Sequence, residues 1–434
     1  MIIFLVLIMY LLFSVYFNQS YTINEYYSIC GIVLISIFVF RYVQKSFKDY
    51  ANIILLGYFL RLLILFLDYY KLAPIPCSGA DSEAFYFIAN KNLMDGTDLR
   101  LTNYSVFLTY LFKIIGPQRL FAQYINVLFG LCTIVYTCKS LKIIDLDKDS
   151  LKKALTLVAF FPQLNFLNSI LLRESIIICS ITVSAYYFIK SIKFEDRHYI
   201  YMAIFLGLIA AYMHSGMIGI IFGYLFSYIF YSYKKQKFLI NYQTLFLFGI
   251  SLAFILLVVL KSGLFTEYFD SVLSAENKEE GEEALLGRMS ISREAGSAYL
   301  SWLNGVNPLV FYLAAPLRMF YFLFSPIPFD WRHLMDVLTF LVDSIFYLYL
   351  LFTIIKYKKN NNKPIYSSFT YPLLIGFFVF TFIYGMGTSA AGTAVRHRTK
   401  CFPILVIIAC IYKKENSECC GFDMMNYRNE IEMF

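Results

Sequence analysis

The stretch ANIILLGYFLRLLILFLDYY, Ala51 to Tyr70, decides the fold class. It is long enough to cross a hydrocarbon layer as one helix, which takes about 20 residues. Its two charges, Arg61 and Asp68, are all that interrupts it. Runs of the same kind recur along the chain. Of the 434 residues 59% are hydrophobic and 19% aromatic, while 15% are charged, against about a quarter in soluble domains. The pattern is that of an all-α polytopic membrane protein. A β-barrel would alternate apolar and polar residues instead.

Working outward, spans are expected near 3–18, 27–42, 51–70, 118–137, 152–170, 174–190, 199–213, 216–233, 240–260, 334–355, 367–386 and 400–412, about twelve in all. The first, from Ile2 to Phe17, lacks a basic leader and a small-residue cleavage site, so it reads as a retained helix. Short basic loops set the orientation: Arg41/Lys45/Lys48, Lys139 to Lys153, Lys190/Lys193/Arg197, Lys234 to Lys237, Lys356 to Lys363, and Lys413/Lys414. The positive-inside rule puts all of them, and both termini, in the cytoplasm. Residues 309–325 are apolar but carry Arg318 and Pro316, and a crossing there would invert the later loops. They are expected to be re-entrant or partly embedded.

This organisation gives one transmembrane domain over 1–413 and a cytoplasmic tail over 414–434. Its outer loops are about 71–117 and 262–333. The net charge of +8 lies mostly in the short loops, so it sets topology and does not suggest nucleic-acid binding. Of the nine cysteines, Cys77 alone falls clearly in an outer loop, and Cys419-Cys420 lacks metal-site spacing. The acidic run Glu276 to Glu283 reads as a solvated part of the second outer loop.

The first outer loop opens with Gly79-Ala-Asp81-Ser-Glu83-Ala-Phe85-Tyr86. Ser82 to Leu93 places Phe85, Ile88 and Ala89 on one helical face. Tyr104 to Ile115 does so with Phe107, Leu111 and Ile114/Ile115. Both segments are too short to span, and are expected as helices lying in the interface. Asp95-Gly96 marks the turn between them. Asp81 has two compatible readings, a helix N-cap and a carboxylate for proton transfer.

Other chemistry-bearing residues are expected on the same outer side. Arg173-Glu174 sits at a span end, where charge is costly and often functional. Its other reading is a helix-start charge with a local partner. Arg396-His397-Arg398 with Lys400 opposes the positive-inside trend. Arginine grips phosphate bidentately, whereas lysine acts as a point charge; a lipid-headgroup or stop-transfer flank is the alternative. His214 lies at a helix junction. Ser325 to His333 forms a rigid turn with Trp331, either lining a lipid groove or anchoring the chain. Arg61 requires a partner such as Asp68 or a polar cavity. No P-loop, dinucleotide-binding glycine pattern or His-Glu-x-x-His zinc motif occurs, which argues against a nucleotide-driven pump or a zinc protease.

These features suit a substrate with a phosphate head and a lipid tail. They also resemble the GT-C glycosyltransferases, in the branch with bacterial protein O-mannosyltransferases and aminoarabinose lipid A transferases. The resemblance rests on Asp81-Ser-Glu83-Ala-Phe85-Tyr86 with Ala89, Tyr104 to Gly116, Gln123 to Gly130, Phe161-Pro162 to Arg173-Glu174, and Arg396-His397-Arg398 with Pro403. It covers roughly residues 50–235 and the last helix pair. Two extra spans precede the acidic loop here.

The resemblance implies a glycosyltransferase in a bacterial plasma (inner) membrane. Asp81 would be the catalytic base and Glu83 its helper. Arg173, Arg396, His397, Arg398 and His214 would hold the donor phosphate. The implied partners are a polyprenyl-phosphate-linked sugar donor, a lipid-linked glycan, lipid or protein acceptor, and membrane lipids. No cofactor is demanded, though a divalent cation is compatible with the chemistry. The outer arginines also look like those of O-antigen and capsule repeat-unit polymerases. From another class, a polysaccharide or lipid transporter would show a row of polar residues through the membrane.

Overall fold

The computed structural model describes residues 23–235, 237–261, 297–303, 308–359 and 364–414. The expected span at 3–18, the acidic run, most of the second outer loop and the tail beyond Lys414 lie outside the described residues. The described chain is largely helical, with one two-residue β-hairpin pairing Tyr231–Ser232 with Lys237–Phe238. Among the described residues six helices are long and apolar enough to cross a membrane, which fits an all-α membrane protein. Their ranges are Glu25–Ser46, Lys48–Tyr69, Arg119–Ile143, Glu174–Lys193, Leu334–Tyr357 and Ser368–Gly387.

The residues form two compact units, one of Met1–Cys138 with Lys148–Cys179, the other of Lys139–Asp147 with Ser180 onward. In the first, α1 (Ile23–Ser46) and α2 (Ala51–Tyr69) are followed by α3 (Ala80–Asp95), α4 (Asn103–Ile115) and α5 (Arg119–Ile143). Hydroxyls join three of these helices. Ser36 donates to Ile32 O at 2.6 Å, so Tyr58 donates to Ser36 at 2.7 Å and Tyr124 to Tyr58 at 2.9 Å. In an apolar solvent such pairs help specify which helices associate, because a lone hydroxyl there has no water to turn to.

The expected span at 152–170 is broken. It forms α6 (Lys148–Phe160) and the short α7 (Pro162–Leu167). Pro162 removes a backbone donor and forces Phe161 out of the helical region, to ψ 117°. The chain then runs irregularly to α8 (Glu174–Lys193).

The buried face of α3 is Ser82, Phe85, Ala89 and Asn92, close to the expected one. On α4 the face packed against the protein is not the apolar face named from the sequence. Tyr104, Ser105, Leu108, Thr109 and Phe112 are buried, while Ile114 is 82% exposed. The sequence favours aliphatics for the inside, but Tyr104 and Thr109 have partners across the hairpin. Asn92 Nδ2 donates to Thr109 Oγ1 at 3.3 Å, and Tyr104 OH lies 3.2 Å from Asn126 Nδ2. Gly96 ends α3 in the left-handed region at φ 66°, which the Asp95-Gly96 signal anticipates.

In the second unit α9 (His198–Met213) turns large residues outward and small ones inward. Tyr201, Phe205, Leu208 and Tyr212 are exposed, whereas Ala203, Gly207, Ala210 and Ala211 are buried. That is the pattern of a helix in lipid, where close backbone approach holds neighbours together. The same device joins α10 (Ile218–Phe230) to the long helix Pro364–Gly387. A Cβ at Gly219 would lie 2.6 Å from the Phe380 backbone N, and one at Gly223 would strike the Pro372 carbonyl.

The chain continues through α11 (Tyr242–Lys261), α12 (Pro308–Leu313), α13 (Ala315–Phe324), α14 (Leu334–Thr339) and α15 (Ile345–Lys359), with a π turn, Phe340–Ser344, between the last two. Thus 309–325 holds two short helices. The Pro364–Gly387 helix is α16, followed by α17 (Ala391–Arg398) and a last helix, α18, over 402–414. Arg318 of α13 closes the end of α16. Its Nε donates to Gly385 O at 3.2 Å, and its Nη2 to Met386 O at 3.0 Å and Thr388 O at 3.3 Å. A cation on orphan C-terminal carbonyls answers both their hydrogen bonds and the helix dipole.

Candidate functional site

Asp81 lies in the first turn of α3 and is exposed. It is not the N-cap, which corrects that reading. Gly79 holds the cap position at φ 124°, which a side chain would resist. Ser82 Oγ accepts from Gly79 N at 3.1 Å and donates to Gly79 O at 3.0 Å. The carboxylate of Asp81 is therefore held on a fixed turn without serving as its cap. Glu83 accepts from Arg119 Nη1 at 2.6 Å. That guanidinium also lies 5.8 Å from the centre of the Tyr86 ring, and Tyr86 OH donates to Pro117 O at 3.3 Å. Glu83 thus ties the start of α3 to the start of α5. Half-exposed, the pair is worth at most about 1 kcal/mol.

The irregular segment 168–173 is clamped from α5. Asn126 Nδ2 donates to Ile170 O at 2.6 Å and to Leu172 O at 3.0 Å. Those carbonyls lie outside any helix and need a donor. Asn126 is a positioning residue that carries no motif. Its signal is a lone amide in an apolar span. Arg173 is half-buried with its Nε 4.0 Å from Glu174 Oε1, and Glu174 has no exposed surface. Both readings of Arg173 thus meet here, since the local carboxylate exists. Tyr104, whose phenol shifts upward through burial and through the Glu174 charge, packs edge-on against Phe85 at 5.2 Å.

Arg61 does not pair with Asp68. Gln123 Nε2 takes Asp68 at 2.6 Å, and Arg61 Nη1 donates to Gly57 O at 2.9 Å and Ala159 O at 3.2 Å.

In the second unit the structure brings His214, Tyr384, His397 and Lys400 together. His214 Nδ1 lies 2.7 Å from Tyr384 OH, and Lys400 Nζ lies 2.9 Å from His397 Nδ1. The two imidazoles are 4.9 Å apart, centre to centre. Lys400 also donates to Tyr384 OH at 3.5 Å, and has no exposed surface. Lys400 donates to His397 Nδ1, and Tyr384 OH and His214 Nδ1 share a proton. A cation, a phenol and two imidazoles share one small region, groups of the kind that donate to a phosphate. Gly216 lets this form, because a Cβ there would lie 2.7 Å from the Tyr384 ring.

The neighbouring arginines differ. Arg396 is half-buried on α17. Arg398 turns the other way and is withdrawn from the expected phosphate set. Its Nε donates to Asp343 Oδ2 at 2.7 Å, Nη2 bonds the same oxygen, and Nη1 reaches Phe322 O at 3.2 Å. Ser344 Oγ accepts from Nη2 at 3.0 Å. The reason is the π turn, which presents Asp343 and Ser344 on one side for a bidentate partner. Among the described residues no group of three or more His, Cys, Asp or Glu could hold a metal. No protein-family model, no curated protein and no solved structure matches the chain.

Proposed function

We propose that this chain is a membrane glycosyltransferase that takes a sugar from a polyprenyl-phosphate carrier. The observation that supports it is the His214–Tyr384–His397–Lys400 cluster, an anion-type donor set in an otherwise apolar helix bundle. In this reading Arg396 adds a second cation to the cluster, beside Lys400. The acceptor hydroxyl oxygen attacks the anomeric carbon and its proton passes to a carboxylate base, the role that the resemblance gives to Asp81. The bond from that carbon to the phosphate oxygen breaks with its electron pair on the phosphate. Cations and N–H groups stabilise that leaving charge, so no acid is needed. Twelve spans, cytoplasmic termini and an outer-face site in a bacterial plasma membrane belong to the same proposal.

A test is donor binding by the full-length protein in nanodiscs, followed by ³¹P resonance of a polyprenyl-phosphate sugar. His397→Gln and Lys400→Met should each weaken binding about tenfold or more, the scale of a lost charge-assisted bond. Wild-type affinity in both variants would remove the phosphate site.

One observation favours a transporter. The first unit buries Arg61, Asn126, Asn165, Asn168 and Glu174, and polar residues inside spans mark transport paths. Flux of a lipid-linked glycan that survives Asp81→Asn but not Arg61→Met would support that reading.

A further inference from the structure

Orientation in a membrane needs cations near the ends of spans, but it does not need them gathered on a folded element. At one end of the second unit they are gathered. The end of α8 and the loop after it carry Lys190, Lys193 and Arg197, and the α10–α11 connection carries Lys234, Lys235 and Lys237. That connection is a hairpin. Tyr231 pairs with Phe238 and Ser232 with Lys237, and Leu239 N donates to Phe230 O at 2.8 Å. So short a hairpin is marginal alone, and aromatic packing holds this one. The Phe238 ring lies 5.3 Å from Tyr231, 5.4 Å from Phe226 and 6.1 Å from Tyr371 of α16. With its stem fixed, the hairpin leaves Lys234, Lys235 and Lys237 exposed.

The two connections meet through ring faces. The guanidinium carbon of Arg197 lies 5.6 Å from the centre of the Tyr233 ring and 5.7 Å from that of Tyr228. Lys190 Nζ lies 4.0 Å from the centre of the Tyr199 ring. Carboxylates do not neutralise this corner. Asp145 takes Lys193 at 2.7 Å, and Asp196 Oδ1 accepts from His198 N at 2.9 Å. Among the described residues Lys190, Arg197 and the three hairpin lysines form no ion pair, and Glu195 and Asp196 leave them in excess. A cation resting on aromatic faces keeps its N–H donors for an acceptor, and a guanidinium can grip a phosphate with two of them. The adjoining surface is apolar: Tyr201 and Phe205 on α9, and Ile240, Tyr242 and Phe246 just beyond the hairpin, are exposed. Cations beside such a surface lie at the depth where acyl chains give way to headgroups.

We propose that this corner binds the headgroups of anionic phospholipids, with Arg197 and the hairpin lysines on the lipid phosphate. The inference is independent of the reaction the protein performs. The test is thermal unfolding of the full-length protein in detergent, titrated with dioctanoyl-phosphatidylglycerol, dioctanoyl-phosphatidylcholine or inorganic phosphate. Phosphatidylglycerol should raise the wild-type midpoint in a saturable way, and the other two probes should not. Arg197→Gln should need about fivefold more phosphatidylglycerol, the scale of one cation at an anionic surface. The combined variant Lys234→Gln, Lys235→Gln, Lys237→Gln should need at least about tenfold more. Lys356→Gln, in a different basic loop, should respond as wild type. No rise with phosphatidylglycerol, or an equal rise with phosphatidylcholine, overturns the proposal. An equal rise with inorganic phosphate makes this a free-anion site and overturns it too. So do corner variants that respond like wild type, or a Lys356→Gln variant weakened as much as they are.

Discussion

Arg398 and Arg61 are both fully buried, one in each unit, and they are housed in opposite ways. Arg398 meets a carboxylate with two of its nitrogens, a hydroxyl and a carbonyl. Arg61 meets only two carbonyls, through Nη1, and its Nε and Nη2 have no partner. It lies instead across Gly130, where a Cβ would be 2.8 Å from its Nε. Arg398 is neutralised by the Asp343 carboxylate of the π turn, which it meets through Oδ2 while Oδ1 stays buried without a partner. Arg61 is a buried charge whose hydrogen bonds reach no carboxylate, which a stability argument does not explain.

The comparison can be broken by substitution. Asp343→Asn should show the largest effect, about 3–5 kcal/mol by unfolding in detergent, because it strands a buried guanidinium. Replacing the pair together, Asp343→Leu with Arg398→Met, should recover most of that loss. An equal loss in the double variant would show that the π turn depends on more than the ion pair. Asn126→Leu should follow at about 1–3 kcal/mol, since it removes the amide that ties Ile170 O and Leu172 O to α5. Arg61→Met should change stability by no more than about 1 kcal/mol in either direction. A cost of several kcal/mol there would make Arg61 structural and erase the contrast. Glu83→Gln should be smallest, under about 1 kcal/mol, in line with its half-exposed pair.

Spans of unbroken apolar residues were legible. The segments expected at 27–42, 51–70, 118–137, 174–190 and 367–386 correspond to α1, α2, α5, α8 and α16. What failed was set by partners distant in the chain. Pro162 was visible, but an apolar run through it outweighed its effect. The face of α4 depends on Asn92 and Asn126, which no periodicity within α4 contains. Asp68 lies two turns from Arg61 and is one partner the sequence offers beside a polar cavity, yet Gln123 from another helix claims it. His214 and His397 were legible as residues. Their meeting through Tyr384 was not, because it follows from the glycine-lined crossing of α10 and α16. Arg398 resembled its neighbours in sequence and differs from them only through Asp343.

The most direct test is sugar transfer from a defined polyprenyl-phosphate donor by the full-length protein in nanodiscs, comparing wild type with Asp81→Asn and His397→Gln. Transfer by wild type is expected, with a loss of about 100-fold or more in each variant, the scale of a missing general base or charge-stabilising donor. Transfer that persists at the wild-type rate in both variants would contradict the account.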